Sequence, residues 1–357
     1  MSPRKAYKAL SVILLGITLG CGDPSHSANW AGEVGATSAE IVGGWAATEQ
    51  QIFATVEIRR SGASMGFCTG TLISPLVVVT AAHCAVVEPE VGVVRAAVPG
   101  SLQVVAGHLA SRSADPSMMR AVLQVRVHED YDHEFIMGRN RSGAGQGGIG
   151  SPNDIALLFL AAPFDAIPSA PMLTAERERE LVHHGDVAFV AGYGVYDIDD
   201  NLTGELYISD AVIDILGHQE LLTRRIDQLG DSCYGDSGGP LYVPTEDGNF
   251  LVGLVSRGRS DVKRDCGDGG VYTLLSAYLP WIAEAAGSRL MPSSRMGTED
   301  GSFLADGADP ISVPKGGSLE RANACAAFST TSGDRSPISA LGLLLGFALL
   351  RRRLSGV

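Results

Sequence analysis

An all-β fold of the barrel or sandwich type is what this sequence predicts, on three observations. From residue 41 to about 288, short apolar runs alternate with Gly, Pro, Asp and Asn turn signals. The runs are rich in Val and Leu and five or six residues long, as short buried strands are. Helical spacing shows in one stretch only, Ser276–Ala286, through Leu279, Ile282 and Ala286. Many short strands must bury their faces against one another, and sandwiches and barrels do this.

The strand candidates, in order, are Leu76–Thr80, Leu102–Ala106, Val122–Val127, Ile155–Leu160, Val187–Ala191 and Leu251–Val255. Residues 141–151 (RSGAGQGGIGS) interrupt them. No Lys-Ser/Thr follows these glycines, so a phosphate-binding loop is excluded and a flexible surface loop expected. No internal repeat is evident.

The chain of 357 residues is long enough for about two domains of ordinary size. At 45% apolar residues it can bury a full core. Its net charge of −13 argues against a nucleic-acid partner, because neutralising phosphates takes clustered cations.

Residues 1–20 read as an export signal: Arg4, Lys5 and Lys8, then a short apolar core from Ala9 to Leu19. That core falls short of the roughly 20 apolar residues a membrane span needs. Residues 21–40 are small and polar and read as a pro-segment; residues 289–337 read as a linker or stalk. Export places the six cysteines where disulfides persist. Cys68, Cys84, Cys233 and Cys266 lie in the compact middle; Cys21 and Cys325 lie in the flanks. No Cys or His pairs occur at zinc-like spacing among the middle residues, so no metal is expected, and no cofactor either.

Three segments carry chemistry: Thr80-Ala81-Ala82-His83-Cys84, Asn153-Asp154-Ile155-Ala156-Leu157 and Gly235-Asp236-Ser237-Gly238-Gly239-Pro240. Together, in the order His…Asp…Ser, they closely resemble the trypsin-like serine proteases. Ile41-Val42-Gly43-Gly44 resembles the mature N-terminus of that family. The resemblance covers about residues 41–288. It implies two antiparallel six-stranded β-barrels with a C-terminal helix, and a serine endopeptidase made as a zymogen.

The resemblance also assigns roles. A serine hydroxyl is a weak nucleophile until a neighbouring base takes its proton. His83 is the implied base for Ser237, and Asp154 the group that orients its ring. The amides of Gly235 and Ser237 correspond to the oxyanion hole. Ser256 matches the serine that hydrogen-bonds the aspartate. Cys68 is implied to pair with Cys84, and Cys233 with Cys266; two other bridges common in relatives are missing. Asp231, six residues before Ser237, matches the carboxylate at the base of the primary pocket. Gly258 and Gly270 match the glycines that keep that pocket open. A buried carboxylate there selects Arg or Lys over an apolar side chain. Cleavage between Glu40 and Ile41 is expected to free an ammonium that pairs with Asp236. Glu40 is a poor substrate for a pocket holding Asp231, so a separate activating protease is expected.

The chain departs from the family in three places. Arg257 stands where an aromatic wall residue is usual, and the stretches 256–266 and 131–153 are longer than usual. A rival reading is a surface-displayed protease-fold binding protein without turnover, but such proteins usually lose a triad member. An esterase elbow places its Ser first in the chain order, whereas here it is last.

The tail is a separate signal. Pro337–Leu350 is apolar and ends in Arg351-Arg352-Arg353, with Cys325 upstream. This resembles the C-terminal sorting tails of myxobacterial surface proteins, which implies that 338–357 is a sorting tail; an ordinary membrane anchor is the alternative, for which the run is short. Leu19-Gly20-Cys21 resembles a lipoprotein signal site, with Thr18 a departure from it. The expected location is therefore outside the cell or on a bacterial cell envelope, touching membrane only through the tail or lipid.

Overall fold

A computed structural model describes residues 44–51, 54–197, 201–224, 230–263 and 266–290, with the backbone of 302–303. The signal (1–20), the pro-segment (21–40), Ile41, Cys21, Cys325, most of the 289–337 linker and the 338–357 tail lie outside the described residues. Among the described residues no helix is long and apolar enough to cross a membrane.

Eight strands form the first half: β1 (Thr55–Arg60), β2 (Gly66–Ser74), β3 (Val77–Thr80), β4 (Val86–Glu90), β5 (Val93–Ala96), β6 (Leu102–Val105), β7 (Met119–Val127) and β8 (Ala156–Leu160). Six of them close a barrel in the order β1-β2-β3-β8-β7-β6, and β4 and β5 form a separate hairpin. The core takes Val56, Ile58, Leu72, Val78, Val104 and Leu158, all fully buried.

The second half holds β9 (Val187–Gly192), β10 (Tyr207–Leu216), β11 (Glu220–Arg224), β12 (Pro240–Thr245), β13 (Gly248–Gly258) and β14 (Gly270–Leu274). Their order is β12-β9-β10-β11-β14-β13, and pairing of β13 with β12 closes the ring. Val190, Ile213, Leu241, Val252 and Tyr272 pack inside it. The fold is thus two six-stranded antiparallel barrels. Two-residue strands extend the second sheet: Trp45–Ala46 on β10, and Met172–Leu173, which pairs with both β13 and Ser302–Phe303.

The expected C-terminal helix is present as Leu279–Ala286. Its first part, Leu275–Tyr278, is a 3-10 turn, and Pro280 sits in the first α-turn, where its missing N–H costs nothing. Leu279, Ile282 and Ala286 are its buried residues, as their spacing predicted. Two short helices had no clear periodicity. They are His133–Ile136, capped by Asp132, and Ala175–Leu181, capped by Thr174.

Both middle disulfides form, Cys68–Cys84 and Cys233–Cys266, with Cα atoms 6.1 and 4.7 Å apart. The first ties β2 to the turn after β3. The second ties the segment before β12 to the long connection after β13.

Candidate active site

Strand register brings the first two groups together. Thr80 of β3 pairs with Ala156 of β8. His83 lies three residues beyond one and Asp154 two before the other, so both emerge at the same barrel end. His83 Nδ1 is 2.9 Å from Asp154 Oδ2, and the His83 amide donates to Oδ1 at 3.0 Å. Ser256 Oγ donates to Oδ2 at 2.6 Å. Asp154 is fully buried, while His83 is half-buried.

Electrostatics follow from that geometry. Burial by itself raises the Asp154 carboxyl, but the charge and hydrogen bond of His83 and the Ser256 hydroxyl outweigh it, and the group titrates below its usual range. Burial likewise disfavours charged His83, yet Asp154 outweighs it and lifts the imidazole above its ordinary value. The Arg257 charge pulls the other way.

Ser237 sits in the turn that enters β12. Its carbonyl accepts from the Thr69 amide of β2 at 2.9 Å and lies 3.4 Å from Cys84 Sγ, the neighbour of His83. The Gly238 amide donates to Val255 O at 2.7 Å, which ties the turn to β13. Gly235 holds φ at +95°, and a Cβ there would stand 2.8 Å from Gly194 Cα, so only glycine fits. Thr69 Oγ1 donates to Gly235 O at 3.0 Å and fixes the orientation of that peptide.

Asp231 is fully buried below this turn. Its carboxylate accepts from Thr223 Oγ1 and Tyr272 OH, and from the Ser232 amide at 2.6 Å. Burial still pushes its pKa up. Gly258 pairs with Gly270 across β13 and β14. A Cβ on Gly270 would stand 3.3 Å from Asp231 Oδ1, so the missing side chain leaves the approach to the carboxylate clear.

Asp236 is also fully buried. Its oxygens accept from the Gly194 and Cys233 amides at 2.9 and 2.8 Å. Burial, and then the nearby charge of Asp231, push its pKa up to about 7. Ile41, its expected partner, is outside the described residues.

Arg257 is not a surface substituent. Its guanidinium grips Glu220 with both terminal nitrogens, at 2.5 and 2.8 Å. The 141–151 segment, whose composition predicts a flexible loop, is held in place at its second half: Gly148 O accepts from Arg257 at 2.6 Å and the Gly150 amide donates to Glu220 at 2.7 Å.

Of the residues singled out in the sequence, the structure places His83 and Ser256 on the Asp154 carboxylate; Thr273 Oγ1, which the sequence did not signal, donates to the Asp154 carbonyl at 3.0 Å. Thr69, Thr223 and Glu220 carried no motif. Tyr272 lies two residues past Gly270 on one strand, a same-face spacing that could have flagged it. Among the described residues one group, Cys68, His83 and Cys84, has metal-type atoms close together, but both cysteines are spent in a disulfide.

Two closed β-barrels meeting at a His–Asp pair and a serine-bearing turn are the architecture of a serine protease. Residues 41–282 match the family model for trypsin, and the chain belongs to that family of serine proteases, hydrolases that act on protein and peptide substrates. Its relatives include a tryptase from Mus musculus, 30% identical over 241 residues, which are 61% of this chain and 78% of that protein. Another is coagulation factor IX from Cavia porcellus, 28% identical over 240 residues, 63% of this chain and 75% of that protein.

Proposed function

We propose that the chain is a secreted serine endopeptidase that cuts after Arg or Lys through an acyl-enzyme. Ser237 Oγ attacks the scissile carbonyl while His83 Nε2 takes its proton. Asp154, bonded to Nδ1, holds the tautomer that leaves Nε2 free to accept, and stabilises the imidazolium that results. The oxyanion faces the amides of Gly235 and Ser237; one such donor is typically worth about 10²–10³ in rate. His83 then protonates the leaving amine, water enters, and the same groups run the second half in reverse. The observation that carries this reading is the buried Asp154 carboxylate, bonded at once to the His83 ring, the His83 amide and Ser256.

Asp231 supports the Arg/Lys preference. It is a buried carboxylate whose hydrogen-bond donors among the described residues are neutral: Thr223, Tyr272 and the Ser232 amide. A substrate cation supplies the missing charge, and an apolar side chain leaves it unpaired.

The same logic supports zymogen activation at Ile41. Ala46 pairs with Tyr207, and Tyr207 pairs with Gly192. Gly192 lies against Asp236: a Cβ there would stand 2.1 Å from its Oδ1. Ala46 is therefore about two strand spacings, roughly 10 Å, from the Asp236 neighbourhood. Five residues span up to about 17 Å, so a freed Ile41 can reach the carboxylate. Secretion rests on residues 1–20, and residence at the cell surface on Cys325 and the 338–357 tail.

The test is labelling of the processed chain with a serine-directed phosphonylating reagent. Stoichiometric labelling that disappears in Ser237→Ala is expected. Absence of labelling in processed wild type refutes the enzyme and favours a binding protein on a protease fold.

A further inference from the structure

The two lengthened segments, 131–153 and 256–266, meet each other beside the catalytic groups. Arg257 leaves β13 directly after Ser256, the Asp154 partner, and directly before Gly258 of the pocket wall. Its side chain is 7% exposed and that of Glu220 1%. The pair holds the longer segment at Gly148 O and at the Gly150 amide. Phe135 lies over the guanidinium, 5.1 Å from ring centre to carbon. Gly150 passes so close to that ring that an added Cβ would stand 2.4 Å from it. The Ser260 amide donates to Gly147 O at 3.1 Å, joining the two segments by backbone. At its other end the segment is tied to the β4–β5 hairpin, where Glu88 accepts from Arg139 and faces His133 Nε2 at 3.2 Å. The segment is a strap fastened to that hairpin at one end and to the second barrel at the other.

The strap lies where a peptide chain would run. Register of β13 with β12 ends at Leu254–Pro240, whereas register with β14 runs on to Gly258–Gly270. Ser256–Gly258 therefore extends past its last β12 partner. An extended peptide with a side chain over Asp231 can add to that edge as a further strand. Its residues beyond the pocket, on the acyl side, would then pass over Arg257, the position covered by Phe135 and Gly147–Gly150. Opening that cover strips the buried Arg257–Glu220 pair of the Gly148 carbonyl and the Gly150 amide that bond to it and lifts Phe135 off the guanidinium; losing hydrogen bonds to buried charged groups is unfavourable.

We infer that the strap closes the acyl side of the cleft just beyond the residue held over Asp231, with Arg257 and Glu220 as the specificity-determining pair. The inference rests on the endopeptidase reading above. Peptide residues further out on the acyl side then contribute little to the transition state.

Peptides with Arg at the cut bond, extended on the acyl side from an acetyl cap to three residues, test this on the processed enzyme. Wild type should change kcat/KM by less than about threefold across the series. The Arg257→Met/Glu220→Met double variant replaces the ion pair by apolar side chains, a change that buried pairs often tolerate. It should gain about tenfold or more from the same extension. A tenfold gain in wild type, or no gain in a folded double variant, overturns the inference. The wild-type series decides the matter even if the variant does not fold. If no peptide is cut, the endopeptidase reading fails, and the strap is read without turnover. Hydrogen exchange at the Gly150 amide should be slow in wild type and fast in the double variant, and fast exchange in wild type refutes the strap.

Discussion

Replacing Asp236 by Asn in the uncut chain should remove a pH dependence of stability that the wild type carries. Asp236 is fully buried, with two backbone amides as hydrogen-bond donors. Its pKa is pushed from 3.8 up to about 7. A carboxyl whose native pKa lies above the unfolded one binds more protons when folded, so stability falls as pH rises through the window between them. At roughly 1.4 kcal/mol per pH unit, the gap from 3.8 to about 7 is worth about 4 kcal/mol. Asn cannot ionise. It offers one acceptor to two amides, a constant penalty that does not vary with pH. Urea unfolding of the uncut Ser237→Ala chain, with and without Asp236→Asn, between about pH 4 and pH 8 gives the difference directly. Contributions from His83, Asp154 and the surface are common to both and largely cancel. The chain with Asp236 should lose about 4 kcal/mol relative to the Asn variant across that window. Parallel stability curves would refute the account of Asp236 as a buried carboxylate without a cation.

Cutting before Ile41 should reverse that dependence, because an ammonium at Asp236 lowers its pKa; the cut chain should gain stability through Asp236 as pH rises from acid to neutral, read by the same unfolding series. Wild type incubated alone should not process Glu40–Ile41; N-terminal sequencing that finds Ile41 in wild type but not in Ser237→Ala would count against a separate activator. Asp231→Ser should cost Arg substrates about 3–5 kcal/mol, or roughly 10²–10³ or more in kcat/KM, and an unchanged Arg preference would overturn the pocket assignment. Arg257→Met removes a cation that opposes His83 protonation, so the acid limb of kcat/KM, where the base must be neutral, should move to higher pH. A move to lower pH in the pH–rate profile would contradict this.

The strands were legible because they are short, apolar and punctuated, whereas their closure into two barrels rather than a sandwich was implied only by the family resemblance. Val77–Thr80 and Ala156–Leu160 are buried along their whole length and read as apolar runs. The helices His133–Ile136 and Ala175–Leu181 were not legible: the first has a single turn, and the second is mostly Glu and Arg, with no apolar stripe to give it a period. The triad candidates stood in recognisable strings, since the local backbone that presents them is itself specified by sequence. Glu220 had no such string. Its partner Arg257 is 37 residues away along the chain, and neither residue alone predicts a buried pair. Composition gave no sign that the second half of 141–151 is anchored, for a related reason. Its glycines permit Gly147 and Gly148 to take φ of +64° and +88° and let Gly150 approach Phe135. The partners that hold the segment lie on β11 and β13 and in the connection after β13.

Asp231 and Asp236 are two buried carboxylates in one short segment, and the charge of the first raises the pKa of the second. Whatever neutralises one therefore eases ionisation of the other. A cation seated in the pocket and an ammonium arriving at Asp236 are ligands for sites that share a repulsion, so each should tighten binding of the other by the same factor. On the proposed reading, the pocket and the activation site become two ends of a single thermodynamic cycle. A small guanidinium or amidinium compound added to the uncut chain should pull it part of the way toward the active state before any bond is broken.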